Sequence, residues 1–245
     1  MALSFHQSIP NSMKSSRSLR SIVGSTVALV VLGTLPTWAA EGPWKVLFNG
    51  TSTEAFRQFK QDAFPKKGWD VVDGTLHVKA GGGAGDLVTK EQYGDFELEF
   101  EWKVASGANS GVMYRVSEAL KEPWQTGPEY QVLDDSRHGD GRNPKTSASA
   151  LYALVAANSE KSLNPVGEWN KARLVVRGWA VEHWLNGKKV VSIDLASPAA
   201  RELIAQSKFK DYPKFARESV GHLCFQDHGD DAWYRNIRVR RLDSK

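Results

Sequence analysis

The sequence predicts an all-β protein, a single two-sheet sandwich of jelly-roll type with little helix. Three observations carry that expectation: short apolar runs of period two, turn dipeptides between them, and one good helix candidate. Trp69 to Val72, then Asp73-Gly74, then Thr75 to Val78 read as a hairpin about an Asp-Gly turn. Over 95–102, Phe96, Leu98, Phe100 and Trp102 share one side, while Glu97, Glu99 and Glu101 form a solvated stripe on the other. Further strands are expected at 111–116, 129–133, 150–155, 172–177 and 180–185. Asn186-Gly187, between Trp184-Leu185 and Val190-Val191, is the strongest hairpin signal. Runs at 221–226 and 233–240 close the series, and the helix spans 197–205, with Ser197 as N-cap and Pro198 at N1.

A chain of 245 residues, 41% hydrophobic and 10% aromatic, has ordinary globular composition. Disordered, collagen-like and multi-span membrane classes are excluded. Lys and Arg number 32 against 28 Asp and Glu, but residues 1–40 hold three of the cations (Lys14, Arg17, Arg20) and no acid. The remaining 29 against 28 leave a near-neutral surface, without the electrostatic footprint of a nucleic-acid binder.

The first 40 residues read as an export signal. A polar cationic stretch ends at Arg20, 14 uncharged residues run from Ile22 to Leu35, and Pro36, Thr37, Ala39 and Ala40 follow. A spanning helix needs about 20 apolar residues, so this run is short for one, and an uncleaved anchor is the alternative. Met13 is a second candidate start, and cleavage after Ala39 or Ala40 places Thr37 or Trp38 at the −3 position. No Cys follows the apolar run, which excludes a lipoprotein anchor. The expected product is one domain, 41–245, periplasmic or extracellular and free of the membrane. Its one cysteine, Cys224, cannot form an intrachain disulfide and reads as a small buried residue.

No Gly-rich phosphate loop, G-x-S-x-G elbow, H-E-x-x-H or paired C-x-x-C occurs. The candidates are polar residues that interrupt strands. Val112 and Tyr114 share a side, leaving Met113 and Arg115 opposite; Tyr130 and Val132 face a core, leaving Glu129 and Gln131 outward. Leu223 and Phe225 point in, leaving Cys224, Gln226 and His228 away, and Asp134, Asp135, His138 and Asp140 crowd one loop. A polar strand side is usually just solvated. Yet Glu129, Gln131, His138, Arg115, His228 and Arg235 could line one face together. His77 and His183, with no acidic cluster nearby in sequence, read as structural, and the Gly-rich 81–85 as an ordered turn or a lid. Glu129 and Asp134, five apart, fall on opposite faces of a regular strand. Retaining glycosidases hold their carboxyls about 5–5.5 Å apart, so the spacing argues against that mechanism.

An ordered series of motifs covers nearly all of 44–242. It comprises Val-Leu-Phe-Asn-Gly at 46–50, Asn-Ser-Gly at 109–111 leading to Tyr114-Arg115, and Gly-Pro-Glu-Tyr-Gln-Val-Leu-Asp-Asp at 127–135. Leu151-Tyr152, Pro-Val-Gly-Glu-Trp-Asn at 165–170, Leu-Asn-Gly at 185–187 and Ser-Lys-Phe at 207–209 follow. Phe-Gln-Asp-His-Gly at 225–229 and Tyr-Arg-Asn-Ile at 234–237 complete it. The series resembles the bacterial 3-keto-disaccharide hydrolase family. It departs at Tyr234, where Phe is usual, and at Cys224, where an apolar residue is commoner.

The resemblance implies a concanavalin A-like jelly roll acting on small glycosides already oxidised at C3. For such a substrate His138 or His228 would be base or acid. Arg115 and Arg235 would stabilise oxyanion charge, and Glu129 with Gln131 would bind hydroxyls or orient a histidine. Asn109, Asp134, Gln226 and Trp124 would contact substrate, with Trp124 and Trp233 as stacking or core rings. Glu129 and the histidines could also hold a divalent metal, which their separation permits without indicating. A non-catalytic glycan-binding module on the same sandwich is the alternative.

Overall fold

In the computed structural model Met1 and residues 41–242 are described, so the expected leader lies outside the described residues. In chain order the first strands are β1 (Lys45–Phe48), β2 (Phe56–Gln58), β3 (Trp69–Val72), β4 (Thr75–Val78), β5 (Leu87–Tyr93), β6 (Phe96–Val104) and β7 (Asn109–Val116). They continue with β8 (Glu129–Leu133), β9 (Asn170–Arg177), β10 (Ala180–Leu185), β11 (Lys188–Asp194), β12 (Gly221–Phe225) and β13 (Ala232–Arg241). One sheet has the order β11-β10-β9-β6-β13-β4-β3, with β1 added alongside β13; the other runs β2-β5-β12-β7-β8. All strand pairs are antiparallel.

Both expected hairpins form where the turn residues demand them. Asp73 and Gly74 take φ of 49° and 72°, Asn186 and Gly187 47° and 84°. Left-handed backbone at both central positions matches the turn to the twist of the strands it joins. The helix α1 (Pro198–Ala205) also follows its signals, with the Ser197 hydroxyl accepting from Ala200 N at 3.2 Å.

The core fills the space between the sheets. Phe100, Phe225 and Tyr234 meet edge-on or tilted at 5.1–6.2 Å between ring centroids. Their inward sides are those the alternation of β6, β12 and β13 selects. Two tyrosine tips inside are satisfied: the Tyr234 hydroxyl lies 2.7 Å from Ser110 Oγ, and that of Tyr130 2.9 Å from Ser149 Oγ.

Three expectations are corrected. Residues 150–155 are not a strand: Leu151 makes single bridges to Tyr130 and Val155, and Ala153 sits at φ 60°. The Glu97, Glu99 and Glu101 side of β6 is no solvated stripe. Arg240 and Arg173 close on Glu97, Arg238 on Glu99 and Arg235 on Glu101, and Glu97 is only 2% exposed. Finally, β7 is bulged. Between Met113 and Val116 it holds two residues opposite the single Leu223 of β12, and Arg115 takes φ 51°.

The bulge builds a second apolar layer on the outer face of the five-stranded sheet. It returns Val116 to the side of Met113, where both pack with Val88 and Cys224 beneath Phe59 and Trp124. Cys224 is buried there, as expected, and burial pushes its thiol upward.

Candidate active site

The site begins on that same outer face. Strand β8 presents Glu129 and Gln131 there, β7 presents Asn109, and the chain leaving β12 presents Gln226 and His228. Tyr130 and Val132 point the other way, into the core, as period two requires. Asn109, Glu129, Gln131, Gln226, His228 and Trp124 line one cavity of about 180 Å³. Tyr152 and Lys208 complete its wall. Trp124 comes from 117–128, Tyr152 from 134–169 and Lys208 from 195–220, so three loops roof a floor made by the sheet.

The floor is laid around one carboxyl. A Cβ on Gly111 would lie 2.0 Å from Glu129 Oε1, so a side chain there would expel the carboxyl. Glu129 is 7% exposed, with its own strand behind it and Met113 beside it. Burial pushes its carboxyl up to about 8; Lys208 pulls it down, and Asp86 and Asp140 add to the rise. Asp86 is itself pushed up to about 7 by burial and accepts a bond from Asp227 N at 2.8 Å.

Around Glu129 stand amides with spare capacity. Asn109 Oδ1, Gln131 Oε1 and Gln226 Oε1 are buried and meet no hydrogen-bond donor of the protein. A buried acceptor left unmade costs about 1–3 kcal/mol, so these three are free to accept from donor groups that enter the cavity. Gln131 is anchored from its other end, its Nε2 donating to Thr146 O at 3.0 Å.

The imidazoles stand at the rim. His228 Nε2 lies 3.4 Å from Asn109 Nδ2, and its Nδ1 3.9 Å from Asp230 Oδ2, which also accepts from Asn109 N at 3.0 Å. His138 is beside it, ring centroids 6.2 Å apart, and caps a short 3-10 turn by accepting from Asp140 N at Nδ1, 3.1 Å away. That bond leaves the His138 proton on Nε2 when the ring is neutral.

Three expected site residues point elsewhere, each for a definable reason. The bulge turns Arg115 toward the turn between β5 and β6, where it donates to Gly94 O and Asp95 and covers Trp179. Arg235 lies on the outer face of the other sheet, donating to Glu101 at 2.7 Å and stacking over Trp169. Asp134 is a loop clamp that accepts from Gly107 N at 2.6 Å and from Ser136. Burial would raise its pKa, yet those bonds leave it lowered. Sequence reasoning missed Lys208 and Tyr152. Both lay within recognised motifs, but no period or spacing signals that a loop residue returns to a strand.

Other groups have structural roles. His183 is buried between Tyr114 and Tyr130, and burial pushes it down to about 4. His77, against expectation, has acidic neighbours: Asp231 at 2.8 Å and Asp70 at 3.4 Å. The 81–85 segment is an ordered turn, since Asp227 Oδ2 accepts from Ala84 N and Gly85 N at 2.9 and 3.0 Å. Among the described residues no group of three or more His, Cys, Asp or Glu is disposed to hold a metal ion. Glu129, His138 and His228 form no such group. A larger hollow, about 680 Å³, lies on the outer face of the eight-stranded sheet, but its Glu99 and Arg238 satisfy one another.

Comparison with known proteins shows the family and the fold. A 3-keto-disaccharide hydrolase of Bacteroides thetaiotaomicron is 34% identical over 227 residues, 80% of this chain and 78% of that one. A crystal structure of a Parabacteroides distasonis protein, provisionally named a glycosyl hydrolase, superposes with TM-score 0.75 at 32% identity, covering 82% of this chain and 94% of that one. A second from that organism, named in the same way, gives TM-score 0.64 at 27% identity, covering 82% and 100%. A Bacillus subtilis protein with a galectin-like fold, 11% identical at TM-score 0.50 over 85% of this chain and 99% of its own, shares the sandwich alone. Residues 43–240 match the 3-keto-alpha-glucoside-1,2-lyase-like domain, and the chain belongs to that family.

Proposed function

We propose that this protein cleaves the glycosidic bond of small sugars carrying a ketone at C3. A C3 ketone acidifies the proton on C2, and the glycosidic oxygen on C1 is then β to the carbonyl. Glu129 takes the C2 proton, and the pair from that bond forms an enolate. The enolate expels the C1 oxygen, which takes a proton from His228, and leaves an enone. Water then adds across C1 and C2 to give the free 3-keto sugar. Glu129 suits the base role because its raised pKa makes it a stronger base than a solvated carboxylate. The amides of Asn109, Gln131 and Gln226 suit the sugar's hydroxyls, whose protons would meet the three unpartnered oxygens.

One observation carries this reading. A buried carboxyl, an imidazole and three unpartnered amide oxygens converge on a single cavity. A hydroxyl-binding carboxylate needs no raised pKa, so a carboxyl held against its solvation favours proton transfer over binding alone. The family relation supports the same chemistry, since the Bacteroides relative is named for 3-keto-disaccharides.

The test is release of sugar from a 3-keto-disaccharide beside its unoxidised parent, with enone absorbance followed in parallel. Cleavage of the ketone alone is expected. Glu129→Gln should lower kcat/KM by about 10²–10⁴, the usual contribution of a general base. Because Glu129 must be ionised to accept a proton, kcat/KM should rise with pH along a limb near 8. Binding of the unoxidised parent without turnover of either sugar would favour the binding module instead.

A further inference from the structure

Resting on that reading, we propose that Lys208 is the group that recognises the ketone and holds the negative charge developing on its oxygen. Proton loss from C2 moves the carbonyl π pair onto O3, and an enolate left in a partly buried cavity needs a charged donor. The two arginines that the sequence offered for this task are turned away, Arg115 to the β5–β6 turn and Arg235 to the opposite face. Of the cavity wall's residues, Lys208 alone is a lysine or arginine.

Its setting fits the task. Lys208 follows α1, in a segment pinned by the Phe209 ring stacking on Phe215 at 3.8 Å. Its Nζ lies 4.3 Å from the Tyr152 ring centroid, 5.3 Å from that of Phe209 and 5.5 Å from that of Trp124. Aromatic faces hold an ammonium through their quadrupoles and consume none of its N–H donors. No carboxylate among the described residues stands within ion-pair distance of it; Glu129 and Asp140 act only from farther off. Asp140 is also occupied, accepting from the Tyr152 hydroxyl at 3.2 Å. Partial burial lowers the Lys208 pKa, and the charges of Glu129 and Asp140 partly offset it. The result is a solvent-exposed cation lying against rings, with no hydrogen bond to the protein among the described residues, on the wall of the same cavity as the base. A ketone oxygen only accepts, and an ammonium only donates. The match strengthens as the oxygen becomes an enolate, which is the differential binding that accelerates a step.

The experiment compares wild type, Lys208→Met and Lys208→Arg. Lys208→Met should lower kcat on a 3-keto-disaccharide by about 10²–10³ and raise KM about tenfold, the ketone preference being lost with the ammonium. Lys208→Arg, which keeps the charge, should recover at least about tenfold of that loss. A role confined to packing the Tyr152 and Trp124 rings would instead shift the melting temperature and leave the ketone preference intact.

Binding is measured separately by calorimetry, with Glu129→Gln blocking turnover. The ketone should bind about tenfold more tightly than its unoxidised parent, the scale of one charge-assisted hydrogen bond. Adding Lys208→Met should erase that preference and leave affinity for the parent unchanged. Survival of the preference without Lys208, or its absence with Lys208 present, overturns the inference. So does borohydride trapping of a covalent sugar on Lys208, which would make it a nucleophilic amine. If wild type cleaves neither sugar, the cleavage reading fails while the binding comparison still judges Lys208.

Discussion

Gly111 and Glu129 have to be understood together. Period two puts Glu129 and Gln131 on the side of β8 away from the core, and that much is legible in the sequence. Their burial is not, because it comes from loops that return over the sheet. Gly111 is the local condition for it: the carboxyl occupies the space a side chain on β7 would take. Gly111→Ala should therefore displace Glu129 and lower kcat by about 10²-fold, the scale of a misplacement near 1 Å. The melting temperature should change little, since the displaced group is a side-chain end and not backbone. Full activity in that variant would show that the carboxyl's position does not matter. The same logic explains the residues the sequence misassigned. Arg115 sits one residue into a bulge, and a single extra residue sends a side chain off the expected face.

At the scale of elements, the outer face of the eight-stranded sheet is a ladder of charge. Glu97, Glu99 and Glu101 on β6 meet Arg240, Arg238 and Arg235 on β13, and Arg173 on β9 closes on Glu97 from the other side. Trp44, Trp169 and Trp184 lie against these guanidinium groups and limit their hydration. Alternation alone shows three glutamates on one side of a strand; it cannot show which cations arrive from strands far along the chain. Glu97 is the member with most at stake, being buried between two guanidinium groups. Glu97→Gln should cost about 2 kcal/mol in urea unfolding, because Arg173 loses its carboxylate while Arg240 keeps Glu41. Activity per folded molecule should be unchanged, since the ladder and the cavity lie on opposite outer faces of the sandwich. A parallel loss of activity in folded protein would show coupling between the two faces.

For the whole molecule, the N-terminal segment raises a separate question. We propose that residues 1–40 direct export, on the cationic stretch, uncharged run and small residues that end at Ala40. Expression in a Gram-negative host should yield a periplasmic product whose N-terminal residue, by mass spectrometry, is Ala40 or Glu41. An intact leader on the membrane fraction would favour the anchor instead.

Across the folded domain, local chemistry decided what depends on neighbours in the chain. The all-β class, both left-handed turns, the helix cap and the inward side of each central strand follow from period, glycine and capping, which act over a few residues. Tertiary packing alone decided which outward sides meet. Strands from the two sheets have the same alternation, so Arg235 and Gln131 look alike in sequence yet face opposite ways. The cavity's depth, the raised pKa of Glu129 and the arrival of Lys208 and Tyr152 depend on contacts between residues remote along the chain, and no local pattern encodes them.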